Sequence, residues 1–260
     1  MGTYQNAVSA YIVLTEFARQ KFISGGLPAR KLFVKPNCLF TDPGPGAGVG
    51  DFVLFAGRLS PEKGVATLLA AWKLLDGIRL TIAGDGPLAP IVAAEAARNP
   101  KNIEWLGRVG PERVRELMGE ARCVVFPSEC YEGLPFAIVE AFSRGTPVIA
   151  SGQGSMPWLI DSGTNGLLFE PRSPADLAAK VQAVYRDHAR IPVMRTRARQ
   201  EFEAKYTAEA NCRRMIEIYD YVLREQSQPS SFDGPEDRDF SPPSGFAGQA
   251  AGNCASKAEE

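Results

Sequence analysis

The chain has 260 residues, 45% of them hydrophobic, enough to bury the core of one large domain or two small ones. Its 29 Lys and Arg offset 30 Asp and Glu, so no broad positive field is available for nucleic acid or an anionic bilayer, and any anion site must be local. The five cysteines (Cys38, Cys123, Cys130, Cys212, Cys254) lack CxxC or metal-ligand spacing and are few for a disulfide scaffold, which fits a reducing, cytoplasmic setting.

No apolar run approaches the roughly 20 residues of a membrane span, and the N-terminus lacks the basic-then-apolar layout of a secretory signal. The first forty residues predict a helix over 15–24 and a short strand over 32–35, leading into a Pro/Gly-rich stretch, 42–50, that reads as a hinge or linker. From there, short β-branched and aromatic runs alternate with amphipathic ones. Strands are expected at 52–56, 79–83, 103–106, 123–126, 147–150 and 166–169. Most are nearly continuous apolar runs, as in strands covered on both faces. Helices are expected at 65–75, 87–98, 111–119 and 135–144, three of them opening at a proline suited to the first helical turn. This is the pattern of one α/β domain with a doubly wound parallel sheet. After residue 176 the pattern is helical through 223, whereas 226–260 is rich in Ser, Pro, Gly and acidic residues and reads as a disordered tail. The expected organisation is therefore 1–41, a linker at 42–50, a domain with C-terminal helices at 51–225, and the tail.

Two strand-end loops concentrate charge. Glu132-Gly-Leu-Pro-Phe-Ala-Ile-Val-Glu140 follows the strand at 123–126, where ligands of open α/β sheets bind. A loop folded over the helix start would let both carboxylates approach one ligand, with the amides of Phe136 and Ala137 facing an anion. Spacing alone fits two solvated glutamates as well. Gly57-Arg58-Leu-Ser-Pro-Glu-Lys63-Gly64 follows the strand at 52–56. Arg58 suits two diphosphate oxygens at once and Lys63 acts as a point charge; a plain solubilising turn, with Lys63 paired to Glu62 or Glu112, is the other reading. Gly84-Asp85-Gly86-Pro87 lacks the third glycine of a dinucleotide fingerprint and reads as a tight turn. Gly107-Arg108-Val109 could offer backbone groups to a flat base. The single histidine, His188, reads as a helix-end cation, and no Ser–His–Asp or Cys–His set can be assembled around it.

In order and spacing these blocks resemble family 4 of the retaining glycosyltransferases, whose GT-B architecture sets two Rossmann-like domains face to face. The matching blocks are Phe55-Ala-Gly57-Arg58 through Lys63-Gly64, Ile82-Ala-Gly84-Asp-Gly86-Pro87, Leu106-Gly107-Arg-Val109, Pro127-Ser128 with Glu132 to Glu140, Gly145-Thr-Pro147-Val-Ile-Ala150-Ser151, and Asn165-Gly166-Leu167. Ile12-Val-Leu-Thr-Glu16 with Lys35-Pro36-Asn37 looks like the final strand and exit of the family's N-terminal domain. The resemblance implies the C-terminal, donor-binding half of a GT-B fold, with most of the N-terminal domain absent.

By the same resemblance Arg58 and Lys63, with the Phe136 and Ala137 amides, would hold the diphosphate of a UDP- or GDP-sugar. Glu140 would hold the ribose, the Val109 backbone the base, and Glu132 would sit beside the transferred sugar as the catalytic carboxylate. It implies no metal and no cofactor beyond the nucleotide-sugar substrate. The partners implied are the nucleotide sugar, an N-terminal GT-B domain, and a glycan, lipid or small-molecule acceptor, without nucleic acid. Membrane contact would be peripheral, at the inner face, through that other domain. The chain departs from the family at Gln153-Gly-Ser-Met-Pro-Trp158, where Trp158 stands in place of a usual glutamate. A nucleotide-sugar-binding module without turnover, or a GT-B epimerase or phosphorylase, are the competing readings.

Overall fold

The alternating pattern requires each strand to feed two cores, and the computed structural model, which describes residues 3–227, shows how. A short helix α1 (Thr3–Asn6) precedes a small unit of β1 (Tyr11–Val13), α2 (Glu16–Ser24) and β2 (Leu32–Val34), the two strands pairing in parallel. The main sheet contains β3 (Phe52–Ala56), β4 (Arg79–Ala83), β5 (Ile103–Trp105), β6 (Cys123–Phe126), β7 (Val148–Ser151) and β8 (Gly166–Phe169). All pair in parallel in the order β5-β4-β3-β6-β7-β8. Between and after them run α3 (Val65–Trp72), α4 (Ala89–Arg98), α5 (Pro111–Glu120), α6 (Phe136–Ser143), α7 (Met156–Leu159), α8 (Pro174–Arg186), α9 (Arg190–Lys205) and α10 (Ala208–Ser227).

Side chains alternate across a strand, and here the alternation divides two cores. Val53 and Phe55 of β3, with Cys123 and Val125 of β6, pack with Leu68, Trp72 and Val181 on one face. Phe52, Leu54, Val124 and Phe126 pack with Phe142, Ala198 and Phe202 on the other. The buried Trp72 indole satisfies its N–H on the Ile78 carbonyl at 3.0 Å. Both faces are thus covered, which is why the strands read as unbroken apolar runs.

Several expected boundaries shift. The strand expected to reach Leu106 ends at Trp105, and the one expected from Pro147 starts at Val148 and runs to Ser151. The helix expected to 75 stops at Trp72. Of the three helix-opening prolines only Pro111 takes the first helical position: Pro87 precedes α4, whose first turn holds Pro90 instead, and Pro135 is the cap of α6. His188 directly follows the C-cap of α8, as expected, and its Nδ1 faces the Arg122 guanidinium. Of the expected tail, residues 226 and 227 finish α10 and the rest lies outside the described residues. Among the described residues no helix is long and apolar enough to cross a membrane.

The stretch expected as a hinge is tied down along its length. Amides of Gly46, Gly48 and Gly50 donate to the carbonyls of Arg144, Gly119 and Glu120, each at 2.9 Å. Arg144 donates back to the carbonyls of Pro43 and Gly44 at 2.7 Å, and Arg195 to that of Gly46 at 2.9 Å. Arg199 pairs with Asp42 and holds its carboxyl below the usual carboxylate range. The folded value lies under the unfolded one, so the pair stabilises the fold above about pH 4 and progressively less as acid protonates Asp42. Asp42→Asn is expected to lower unfolding free energy at pH 7 by at most about 1 kcal/mol, because the pair is partly exposed. Thermal melts should show that loss shrinking toward pH 2; an equal loss at both pH values would assign it to packing.

The last helix crosses to the first unit. Arg214 donates to the Val34 carbonyl at 3.1 Å, Lys35 to Asn211 Oδ1 at 2.9 Å, and Asn211 to the Pro36 carbonyl at 2.6 Å. A cavity of about 390 Å³ lies at this seam, lined among others by Leu14, Glu16, Trp158, Tyr206 and Arg213. None of Arg58, Lys63, Glu132 or Glu140 lines it.

Candidate functional site

Strand order reverses between β3 and β6: the chain winds outward through β4 and β5, then returns to lay β6 on the other side of β3. Ligands of open α/β sheets bind outside the carboxyl ends of the strands at such a point. The loops there are the two that concentrate charge in the sequence.

After β3, a single 3-10 turn (Pro61–Lys63) leads to Gly64, which caps α3 at φ +70°. A Cβ on Gly64 would lie 1.9 Å from the Pro127 carbonyl oxygen, so the two loops approach there at a distance only glycine allows. A hydrogen bond laces them further: the Glu129 amide donates to the Glu62 carbonyl at 2.8 Å, and the Ser128 hydroxyl oxygen lies 3.2 Å from that same carbonyl. Glu129 in turn accepts from Thr67 at 2.7 Å and from Arg172 at 3.2 Å.

This lacing sets the charges. Lys63 Nζ lies 2.6 Å from Glu132 Oε1, and the Ser128 hydroxyl donates to that same oxygen at 2.8 Å. Lys63 therefore pairs with neither Glu62 nor Glu112; Glu62 instead accepts from Ser60. The ammonium also lies over the Phe126 ring, 5.8 Å from its centroid. Arg58, exposed at the start of the loop, has no side-chain hydrogen bond or ion pair among the described residues. From the far side, Ser155 donates to the Glu132 carbonyl at 2.7 Å and Gln153 to that of Ser128 at 2.8 Å, so the loop after β7 braces the loop after β6.

Pro135 caps α6 in an extended conformation, and the Phe136 and Ala137 amides that follow have no backbone partner among the described residues. They are orphan donors of a helix start, directed where an anion is favoured. Glu140 lies further along α6, half-buried, its carboxylate without a hydrogen-bond partner among the described residues. Burial pushes its pKa up, opposed by the charge of Arg115 on α5. An ionised carboxylate that is half-desolvated and unbonded is an unusual structural choice and a common one at ligand sites. Val109, after β5, packs half-buried on the same core cluster as Ala137.

The structure thus brings Lys63 and Glu132 into direct contact and puts Arg58, Phe136, Ala137, Glu140 and Val109 on loops and a helix start at the same carboxyl edge. Glu132 and Glu140 share no partner: one is held by Lys63 and Ser128, the other faces Arg115. Sequence reasoning gave no role to Ser128 or Arg115. Ser128 sits just past a strand end, four residues before Glu132, which was a usable signal; nothing in the sequence marks Arg115. Among the described residues no three His, Cys, Asp or Glu side chains gather as a metal site.

Fold and site define a Rossmann-like α/β domain with charged loops where its strand order reverses. Residues 50–187 match the family described as glycosyl transferases group 1, and the chain belongs to that family. It is 29% identical over 183 residues to glycogen synthase from Mycobacterium tuberculosis, a match covering 68% of this chain and 44% of the relative. The chain thus spans less than half the length of that protein. Among solved structures, Anabaena HepE in complex with UDP superposes with a TM-score of 0.70 at 20% identity, covering 85% of this chain and 64% of that one. Sucrose-phosphate synthase from Thermosynechococcus elongatus superposes with a TM-score of 0.72 at 22% identity, covering 82% and 58%. The fold is one Rossmann-like half of the GT-B architecture; assignment to family 4 within the group goes further than these matches.

Proposed function

We propose that the chain is the donor-binding part of a retaining glycosyltransferase that takes a sugar from a UDP- or GDP-sugar. One observation carries this reading: in a group 1 chain, Lys63 pairs with Glu132 at the strand-order reversal, and Arg58 and the Phe136 and Ala137 amides, without backbone partners among the described residues, lie at the same carboxyl edge. Arg58 and Lys63 would take the diphosphate oxygens and offset the charge that builds as the diphosphate departs, joined by the Phe136 and Ala137 amides. Glu140, free of other partners, would accept from the ribose hydroxyls. Val109 would meet the base through its backbone, and Glu132 would face the transferred sugar. The UDP and UDP-glucose in crystals of the Anabaena neighbour favour a uridine donor. The acceptor, and a second α/β domain to carry it, would complete the site.

Titration calorimetry with UDP, GDP and the bare nucleosides tests the assignment. Arg58→Ala and Lys63→Ala are expected to weaken a diphosphate more than its nucleoside. Glu140→Ala should weaken both alike, by about 1–3 kcal/mol. Equal losses for nucleoside and diphosphate in the two cation variants would reduce the loop to a turn, and unchanged affinity in Glu140→Ala would remove that residue from the site.

A further inference from the structure

Lys63 is engaged by the group next to which the sugar would sit. We infer that Glu132 is the resident counterion of Lys63, and that an incoming diphosphate takes the ammonium away from it, so that binding exchanges one ion pair for another. The inference rests on the donor-site reading above.

The geometry suits an exchange. The contact is short, 2.6 Å, yet both side chains keep some solvent access, 29% for Lys63 and 18% for Glu132, so the pair can be approached and opened. A diphosphate placed at Lys63 would compete with the Glu132 carboxylate for the same ammonium. One anion must yield the ammonium. Glu132 is built to stay in place when it does: Ser128 still donates to Oε1, and Ser155 holds the residue's own carbonyl. The mobile partner is the lysine, whose four-carbon stem swings the ammonium at small cost. After the swing Glu132 Oε1 keeps the hydrogen bonds from Ser128 and Cys130 and loses only the ammonium. When the diphosphate leaves, Lys63 returns to Glu132, which eases release.

The two residues then have opposite effects on one affinity, an outcome that damage to the fold cannot mimic. Calorimetry on the full chain with UDP and uridine, on Glu132→Gln, Lys63→Ala and the double variant, decides it. Gln retains the size of Glu and its bond to Ser128; Glu132→Ala serves as a second variant. Glu132→Gln is expected to bind UDP roughly fivefold more tightly, the upper range for a partly exposed ion pair, and uridine as before. In the Lys63→Ala background the gain should disappear. A gain that persists there would be simple repulsion between Glu132 and the ligand, and would overturn the exchange, as would an unchanged or weaker UDP affinity in Glu132→Gln. If Lys63→Ala itself leaves UDP binding unaltered, the donor-site reading fails first and the exchange with it.

Discussion

Gly64→Ala is expected to destabilise the protein by about 2–5 kcal/mol and to abolish measurable nucleotide binding. A left-handed backbone at a residue with a Cβ costs about 1–2 kcal/mol, and overpacking of a close contact adds roughly 1–3 kcal/mol. Here the added carbon would sit 1.9 Å from the Pro127 carbonyl, an atom that cannot rotate away. Relief requires the loops after β3 and β6 to part, which breaks the Glu129 bond to Glu62 and separates Lys63 from Glu132. For a chain of this size the midpoint should fall by roughly 5–15 °C. Gly77 provides the control: it has φ +68°, but a Cβ added there would meet nothing within 4 Å. Gly77→Ala isolates the backbone penalty, and its melting point should drop by much less. Similar drops for the two variants, with binding retained in Gly64→Ala, would show that the close approach to Pro127 does not hold the site together.

The 260-residue chain by itself is expected to bind a nucleoside diphosphate and to transfer no sugar above background. Every proposed donor contact, from Arg58 and Lys63 to Glu140 and Val109, is local to the carboxyl edge of the main sheet, so binding needs nothing beyond it. Transfer asks for more. The described residues supply the proposed donor edge, with Arg58 exposed, so a donor bound there remains in water, where Coulombic stabilisation of a leaving diphosphate is weak. Without a positioned acceptor the proximity advantage, up to about 7–11 kcal/mol, is also lost; even half of it is on the order of 10³-fold in rate. The assay incubates the purified chain with a panel of nucleotide sugars and acceptors, alone and with a separate N-terminal GT-B domain of a group 1 enzyme. Clear transfer by the chain alone would place the acceptor within these residues and sink the expectation. An epimerised or phosphorolysed sugar as product would change the reaction class.

The succession along the chain of six parallel strands with helices between them was legible in the sequence because burial on both faces forces nearly unbroken apolar runs such as 52–56 and 123–126, and strand side chains must alternate between two cores. The charged loops were legible too, since ligand-facing residues of such a sheet follow strand ends. What remained hidden was pairing at a distance. Lys63 had Glu62 beside it in sequence, yet it meets Glu132, 69 residues on, because the strand-order reversal lays β6 against β3 and the Glu129 amide's hydrogen bond to the Glu62 carbonyl draws the two loops together. Composition likewise marked 42–50 as pliant, since Pro and Gly favour no regular element. Only the fold put the carbonyls and amides of that stretch against Arg144, Arg195 and the end of α5, where it is held fast. Local pattern is fixed by the backbone period and the need to bury apolar surface. Which charge meets which is decided by how the strands are ordered, and that order is a property of the packed sheet.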